Sequence, residues 1–140
     1  LFGGSSNDVL RSSADGNNRL YGGSGDDTLY STVGDRLFGG NGDDSLYAGQ
    51  GGNNFLWGGA GADNFWLVDA GSLPDTANVV KDFEVGIDRI GMGGITSNQV
   101  SFLSQNGNTL IQIGGTDVAL LEGVNQNQFN VNDPNQFIFA

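Results

Sequence analysis

The sequence predicts an all-β protein built from short stacked repeats and closed by a cap. Glycine supplies 25 of the 140 residues, and the pattern Gly-Gly-x-Gly occurs three times. An apolar residue recurs about every nine positions through the first half of the chain. Self-similarity at one fixed period is typical of a solenoid, in which each repeat buries its apolar face against its neighbours.

The repeats become visible when the inward apolar residues are aligned, namely Leu10, Leu20, Leu29, Leu37, Leu46, Leu56 and Phe65. The steps between them are ten, nine, eight, nine, ten and nine residues. Gly22–Tyr30 and Gly39–Tyr47 are near copies, and Gly58–Trp66 keeps their frame with Phe in place of Leu. We therefore expect seven frames, each with a turn and a short strand whose apolar residue faces inward.

The glycine turns contain the oxygen ligands that calcium prefers. Glycine permits positive φ and lets two backbones approach closely, and an aspartate follows the glycines in each Gly-Gly-x-Gly turn. Calcium takes about six to eight oxygen ligands in a flexible geometry. The aspartates alone could serve only to shape the turns, but their recurrence in phase with the glycines favours a metal.

The nonapeptide resembles the calcium-binding repeat of RTX proteins, whose pattern is Gly-Gly-x-Gly-x-Asp-x-apolar-x. The likeness spans residues 3–66. It implies a right-handed parallel β-roll (a β-solenoid), in which two nonapeptides form one coil with a turn on each side. It also implies a secreted or cell-surface protein exported by a type I secretion system, and Phe137–Ala140 resembles the uncleaved export signal of that family.

Two frames per coil divide the turns between an aspartate side and an amide side. The aspartate side contains Asp8, Asp27, Asp44 and Asp63. The amide side contains Asn18, Asp35 and Asn54 at the equivalent positions. Like charges stacked about 4.8 Å apart repel by roughly 3–4 kcal/mol at an effective dielectric of about 20. We therefore expect calcium only on the aspartate side, in the three gaps between its four turns.

The predicted calcium ligands are these aspartates, glycine carbonyls beside them, and two acids near the end of the roll. They are Asp8, Gly23, Gly25, Asp27, Gly40, Gly42, Asp44, Gly59, Gly61, Asp63, Asp82 and Asp88. The resemblance alone implies Asp82 and Asp88, because the family often binds calcium there, at the junction between roll and cap. Both could instead be solvated turn acids, and Asn78 stands where the family usually has aspartate.

Residues 67–140 predict a β-rich cap and secretion-signal region, distinct from the β-roll at residues 1–66. Alternating apolar residues indicate strands near Phe65–Val68, Val79–Phe83, Arg89–Met92, Val100–Leu103, Thr109–Ile113, Asp117–Leu121 and Phe137–Phe139. Gly114–Gly115 indicates a hairpin, and Thr96–Val100 a single helical turn. A solenoid needs such a cap to cover its last coil.

The residue after each inward position is aromatic in six of the seven frames. The seven are Arg11, Tyr21, Tyr30, Phe38, Tyr47, Trp57 and Trp66. Cross-strand stacking would stiffen the sheet, whereas an exposed aromatic stripe would serve lateral packing or sugar binding. We favour stacking, and the second interpretation stays open.

Charge and composition exclude several classes of function. Acidic residues outnumber basic ones 16 to 5, giving a net charge of -11. The chain therefore has no basic patch that could bind nucleic-acid phosphates or an anionic membrane. No apolar run is long enough to span a bilayer. Without cysteine and histidine the chain has no disulfides, no usual zinc site and no Ser-His or Cys-His nucleophile.

These observations favour a non-enzymatic calcium-binding module that folds on calcium binding outside the cell and carries the type I secretion region. The alternative is a structural module of a surface layer, adhesin or filament, joined by self-association or by another extracellular protein. A third hypothesis is that the chain belongs to a secreted hydrolase. Its catalytic domain would then lie upstream, because this sequence does not place two carboxylates around a cleft. Leu1-Phe2 resembles the end of a repeat, so we expect a fragment of a longer array.

Overall fold

The computed structural model describes all residues, Leu1–Ala140. Its strands are β1 (Phe2–Gly4), β2 (Val9–Arg11), β3 (Arg19–Ser24), β4 (Thr28–Tyr30), β5 (Arg36–Asn41), β6 (Ser45–Tyr47), β7 (Phe55–Ala60), β8 (Asn64–Val68), β9 (Asn78–Val80), β10 (Arg89–Met92), β11 (Val100–Gln105), β12 (Asn108–Ile113), β13 (Thr116–Leu121) and β14 (Phe137–Phe139). Two 3-10 turns lie at Ser97–Gln99 and Gln126–Gln128. No helix has the length and hydrophobicity that a membrane-spanning segment requires.

Consecutive strands alternate between two sheets from β1 to β10, which is the architecture of a β-roll. The eight-stranded sheet has the order β1-β3-β5-β7-β9-β13-β12-β11, and the six-stranded sheet the order β14-β10-β8-β6-β4-β2. All pairs within the roll are parallel. The prediction of an all-β parallel roll with two frames in each coil is therefore confirmed.

The core of the roll consists of two columns of apolar side chains, one from each sheet. The first column is Leu20, Leu37, Leu56, Val80 and Leu121, and the second is Leu10, Leu29, Leu46, Phe65, Ile90 and Phe137. Every member is at most 7% exposed. Full burial of one such side chain contributes about 1.5–3 kcal/mol, so the nine-residue apolar period is what holds the coils together.

The cap continues both sheets. The antiparallel strands β11, β12 and β13 extend the eight-stranded sheet beyond β9, and β14 pairs in parallel with β10 in the other sheet. One core of 21 buried residues includes both roll and cap. The division into residues 1–66 and 67–140 stays a prediction, because the sheets cross it without a break.

Most of the strands predicted in the cap are confirmed to within two residues, as are the hairpin at Gly114–Gly115 and the helical turn. The predicted strand Val79–Phe83 is wrong in its second half, since β9 ends at Val80. Beyond it, the Lys81 ammonium pairs with Glu122 at 2.7 Å. Asp82 then bends toward the last glycine turn, where its carboxylate accepts two main-chain N–H groups.

The outward aromatic residues form two columns, one on each sheet, and not one stripe. Phe2, Tyr21, Phe38 and Trp57 stack on the eight-stranded sheet with centroids 4.5–4.8 Å apart. Tyr30, Tyr47 and Trp66 stack on the other sheet at 4.6–5.6 Å. Their ring planes lie within 18° of parallel. Stacked rings cover one another's faces, as the cross-strand interpretation requires.

Candidate metal centre

The aspartate side forms one continuous hydrogen-bonded ladder. At each step the Oδ1 atom of an aspartate accepts the main-chain N–H of the aspartate one coil earlier. The steps join Asp8 N to Asp27 Oδ1 and Asp27 N to Asp44 Oδ1, each at 2.8 Å, then Asp44 N to Asp63 Oδ1 and Asp63 N to Asp88 Oδ1, each at 2.9 Å. The ladder fixes the direction of each carboxylate, so the second oxygens repeat at regular intervals along the roll.

Those second oxygens are buried and unpaired. The Oδ2 atoms of Asp8, Asp27, Asp44 and Asp63 accept no hydrogen bond. The last three side chains are at most 1% exposed. A buried carboxylate oxygen without a partner is costly unless a positive charge or a donor compensates it. A bound cation would provide that compensation at every rung.

Glycine backbone completes a cradle around each of these oxygens. A Cβ added at Gly22 would collide with both Asp27 Oδ2 and the carbonyl oxygen of Gly39. At Gly39 the corresponding atoms are Asp44 Oδ2 and the carbonyl oxygen of Gly58. Each position therefore brings together a carboxylate oxygen and a carbonyl oxygen from successive turns, which are the hard ligands that calcium selects. The donor set fits the predicted metal.

The carbonyls that share these points of close approach with Oδ2 are not among the predicted ligands. They belong to the first glycine of each turn, Gly22, Gly39 and Gly58. The predicted carbonyls of Gly23, Gly25, Gly40 and Gly42 lie instead against the equivalent glycine of the following turn. Gly59 and Gly61 receive the last two of those contacts. Each Gly-Gly-x-Gly turn contains three glycines, and the sequence does not indicate which of their carbonyls lies beside the carboxylate, so the ligand role of these six glycines stays a prediction.

Asp82 and Asp88 both dock on the last turn of the roll, at the predicted junction. Asp82 accepts the N–H of Gly58 through Oδ1 at 2.9 Å and that of Gly59 through Oδ2 at 3.0 Å. Asp88 accepts the N–H of Asp63 through Oδ1 and that of Glu84 through Oδ2, at 2.9 and 2.8 Å. These two carboxylates thus cover the turn that no further repeat follows, and their metal-binding role stays a prediction.

No three carboxylates lie close enough together to hold a metal ion by themselves. A metal on the aspartate side would therefore depend on main-chain carbonyls for most of its ligands. This agrees with the glycine content of the turns, because only glycine leaves room for two backbones and a carboxylate at one point.

Burial and neighbouring carboxylates raise the pKa of the inner aspartates. The pKa of Asp44 rises to about 6, and that of Asp63 to about 7, mainly because the side chains are desolvated. Carboxylates nearby add to the shift, including Asp27 for Asp44, and Asp88 for Asp63. The pKa of Asp88 is also raised, chiefly by burial. The metal-free ladder therefore holds its negative charge poorly.

The amide side satisfies its one buried carboxylate without a metal. Asp35 Oδ1 accepts the main-chain and side-chain N–H groups of Asn18 at 2.7 and 3.0 Å. Its Oδ2 accepts the N–H and hydroxyl of Thr32 at 2.7 and 3.1 Å. Burial acts to raise the pKa of Asp35, but these hydrogen bonds outweigh it and the pKa is lowered. The amide side has its own ladder, in which Asn54 Oδ1 accepts the N–H of Asp35 and Asn78 Oδ1 accepts the N–H of Asn54. Asn78 thus stands where the equivalent residue of a further repeat would stand.

A parallel roll of two sheets, with glycine turns and in-phase aspartates along one side, defines an RTX repeat protein. The sequence matches the family described as Peptidase M10 serralysin C terminal over residues 2–131. The chain belongs to this family, which is an RTX-type calcium-binding repeat region. No curated protein sequence is significantly similar to the chain.

Solved structures are similar to the chain, and one of them, with a TM-score above 0.5, has the same fold. The AlgE6R2 subunit of the Azotobacter vinelandii mannuronan C5-epimerase is 19% identical, with a TM-score of 0.51 over 100% of this chain and 92% of that one. The AlgE6R3 subunit is 23% identical, with a TM-score of 0.49 over 97% and 80%. The extracellular lipase LipA from Serratia marcescens is 18% identical, with a TM-score of 0.46. The chain covers 20% of the lipase, and 97% of the chain is matched.

Proposed function

We propose that this chain is a non-enzymatic calcium-binding module that folds when calcium binds outside the cell and carries the type I secretion region. One observation supports this above all. Buried aspartate Oδ2 atoms without hydrogen-bond partners recur beside glycine carbonyls of the next turn along the aspartate side. Nothing comparable occurs at Asp35, where both carboxylate oxygens are paired.

Calcium would be held by Asp27 Oδ2 with the Gly39 carbonyl, by Asp44 Oδ2 with the Gly58 carbonyl, and by the equivalent atoms at Asp8. Bound calcium supplies the positive charge that the stacked carboxylates lack. The ladder of N–H donors keeps each Oδ2 aimed at its site, and the glycines bring the carbonyl oxygens within reach. Because the site exists only when successive coils stack, its binding energy is folding energy.

An extracellular setting suits such a site. Extracellular calcium modules bind with dissociation constants of about 10⁻⁴–10⁻³ M, so the chain would remain open in a calcium-poor cytoplasm and close after export. Folding hides the predicted export signal, since Phe137 is buried and β14 pairs with β10. Export of an unfolded chain would leave this segment accessible to the secretion machinery.

The two surface pockets give little support to a catalytic role. One pocket lies in the cap beside Asp133, and the other lies beside Tyr30, Tyr47 and Asp69. Each contains one carboxylate and no nucleophile–base pair. Sugar binding along the aromatic column of the six-stranded sheet is also disfavoured, because the guanidinium of Arg11 lies 3.8 Å from the Tyr30 ring centre and covers its free face. Self-association as a structural module has no specific contact in its favour.

A calcium titration of residues 1–140 followed by far-ultraviolet circular dichroism tests the proposal. We expect β structure to appear with calcium and not with magnesium, whose smaller octahedral shell suits a cage of carbonyls poorly. The variant Asp44→Asn should require more calcium. Asp15→Asn removes the same charge from an exposed turn on the amide side and should not. Full folding in a chelator, or equal midpoints for both variants, would overturn the proposal.

A further inference from the structure

The chain contains two Asn-Gly pairs, and they lie in contrasting surroundings. Asn41-Gly42 is part of the third turn on the aspartate side, whereas Asn106-Gly107 forms the tip of the β11–β12 hairpin. Asparagine is a thermolabile residue. It reacts most readily before glycine, because glycine has no side chain to shield the main-chain nitrogen that attacks the asparagine side chain. The equivalent positions in the neighbouring turns are Ser24 and Ala60, which cannot react in this way.

The closed roll restrains the reactive atoms of Asn41-Gly42. Asn41 ends strand β5, where its carbonyl oxygen accepts the N–H of Gly25 at 2.9 Å. The N–H of Gly42, whose nitrogen would be the nucleophile, donates to the carbonyl oxygen of Ala60 at 2.9 Å. These two hydrogen bonds fix the Asn41-Gly42 peptide between two neighbouring coils.

Asn106-Gly107 has no such restraint. Both residues have positive φ, 52° and 83°, as in a tight hairpin turn. The side chains of Asn41 and Asn106 are both exposed, so the two sites differ in their backbone: the Gly107 N–H makes no hydrogen bond in the structure, whereas that of Gly42 does. The chain thus carries its own reference site, whose chemistry is the same but whose surroundings change far less when the roll opens.

We propose that Asn41-Gly42 is a site of spontaneous deamidation, open to reaction while the roll is unfolded and protected once the turn closes. In the first step the Gly42 main-chain nitrogen attacks Cγ of Asn41, loses its proton and expels the side-chain amide as ammonia. The product is a five-membered succinimide. Water then opens either carbonyl of this ring and gives aspartate or isoaspartate, with no oxidant or other reactant required.

The isoaspartate product would prevent closure of that turn. It routes the main chain through Cβ and Cγ, which adds one carbon between Cα of residue 41 and the Gly42 nitrogen that donates to Ala60. The former main-chain carbonyl, which accepts from Gly25, becomes a free carboxylate outside the main chain. The two hydrogen bonds cannot both keep their register. Asp44, three residues on, would be displaced from the aspartate ladder. Chains that stay open too long would therefore lose the ability to fold, which limits their useful lifetime in the unfolded state.

The part of this inference that concerns calcium rests on the proposed function. The test is to incubate residues 1–140 at mildly alkaline pH with saturating calcium or with chelator, and to quantify deamidation at Asn41 and Asn106 by peptide mass spectrometry. In chelator we expect similar rates at the two sites. In calcium the rate at Asn41 should fall at least about tenfold, because reaction then needs local opening, while Asn106 changes far less.

Circular dichroism of the same samples separates the two ideas. If calcium folds the chain but Asn41 reacts equally fast with and without it, the inference is wrong and the proposed function stands. If the chain is folded without calcium, the proposed function fails, and the comparison is made between buffer and concentrated urea with the same tenfold difference expected. Equal rates there would also overturn the inference.

The variant Asn41→Ser provides the matched control, since Ser24 occupies this position in the preceding turn. Wild-type chain aged in chelator should show a fraction that no longer folds when calcium is added, equal to its isoaspartate content at residue 41. Aged Asn41→Ser should refold completely. Equal loss in both proteins would show that the damage arises elsewhere and would contradict the proposed consequence.

Discussion

The main-chain N–H of Asp63 donates to Asp88 Oδ1 at 2.9 Å, so the last repeat turn bonds to the cap as it would to another repeat. Asp82 accepts two further N–H groups from the same turn. The cap therefore takes the place of a missing coil on the aspartate side. On the other side Asn78 does the same for Asn54, with its Oδ1 accepting the Asn54 N–H at 3.1 Å.

Removal of the cap should prevent folding of the roll. A chain ending at Trp66 loses Ile90 and Val80, which cover the last coil, and leaves unpaired strand edges that favour aggregation. We expect it to stay disordered or to aggregate in saturating calcium, while residues 1–140 gain β structure. Sedimentation and circular dichroism under identical conditions check this. A monomeric, folded truncation with an unchanged calcium midpoint would show that the cap is dispensable.

Replacing Asp44 by asparagine should mainly weaken calcium binding, whereas replacing Asp35 should mainly destabilise the fold. Asp44→Asn keeps an oxygen for the N–H of Asp27 but loses the charged ligand, so the calcium midpoint should rise severalfold. Asp35→Asn places an NH₂ group against the Thr32 donors or the Asn18 donors, which costs about 1–3 kcal/mol. Urea unfolding in saturating calcium measures that loss. A larger effect of Asp35→Asn on calcium binding than of Asp44→Asn would contradict the division between the two sides.

Gly39→Ala should abolish calcium-dependent folding through steric exclusion alone. The new Cβ would collide with Asp44 Oδ2 and the Gly58 carbonyl, and φ at this residue is not in the left-handed region, so backbone strain does not contribute. Ser24→Ala is the control, because Ala60 already occupies that position in a neighbouring turn. Both are compared by isothermal titration calorimetry with calcium. Wild-type affinity in Gly39→Ala would place the metal elsewhere.

Calcium binding should weaken in acid through Asp44 and Asp63. Their pKa values, about 6 and 7, lie above the ordinary 3.8, so the metal-free folded state binds protons more tightly than the unfolded chain. The contribution of these two groups to the stability of the metal-free fold is accordingly greatest at low pH and is lost as the pH rises through 4 to 7. Calcium needs the ionised form, so protons compete with it.

The expected result is a calcium midpoint that falls as the pH is raised from about 5 to about 8, with protons released on binding. Calorimetry in buffers of different ionisation enthalpy measures the release directly. Asp63→Asn should flatten the upper part of this dependence. The opposite sign is expected for Asp35, whose pKa is lowered, because its stabilisation is present at neutral pH and is lost as the pH falls below 3.8. A midpoint independent of pH would contradict the placement of the metal at these carboxylates.

The regular part of this protein could be read from its sequence because each coil repeats the same spacing. Asp8, Asp27, Asp44 and Asp63 are 17 or 19 residues apart, and the ladder bonds join them at those separations. Asp88 was predicted only as a junction ligand, since it follows Asp63 by 25 residues and no longer fits the period.

Other features depend on three-dimensional contacts that the repeat spacing does not predict. The pairing of Asn54 with Asn78 spans 24 residues, and the sequence indicated only that Asn78 stands where the family usually has aspartate. The sequence also does not determine which glycine carbonyls lie beside the carboxylates, because each Gly-Gly-x-Gly turn contains three glycines. The two aromatic columns arise because alternate frames lie on opposite sheets. Each outward aromatic ring therefore stacks on the ring two frames away, as Tyr21 does on Phe38 and Tyr30 on Tyr47.

The positions of the two tryptophans give each sheet its own optical signal. Trp57 is the last ring of the column on the eight-stranded sheet, 4.5 Å from Phe38, and Trp66 is the last ring on the six-stranded sheet, 5.6 Å from Tyr47. Excitation absorbed by the stacked tyrosines passes to Trp66 efficiently only when the coils are in contact. Fluorescence of single-tryptophan variants would therefore reveal whether the two sheets form at the same moment or one after the other.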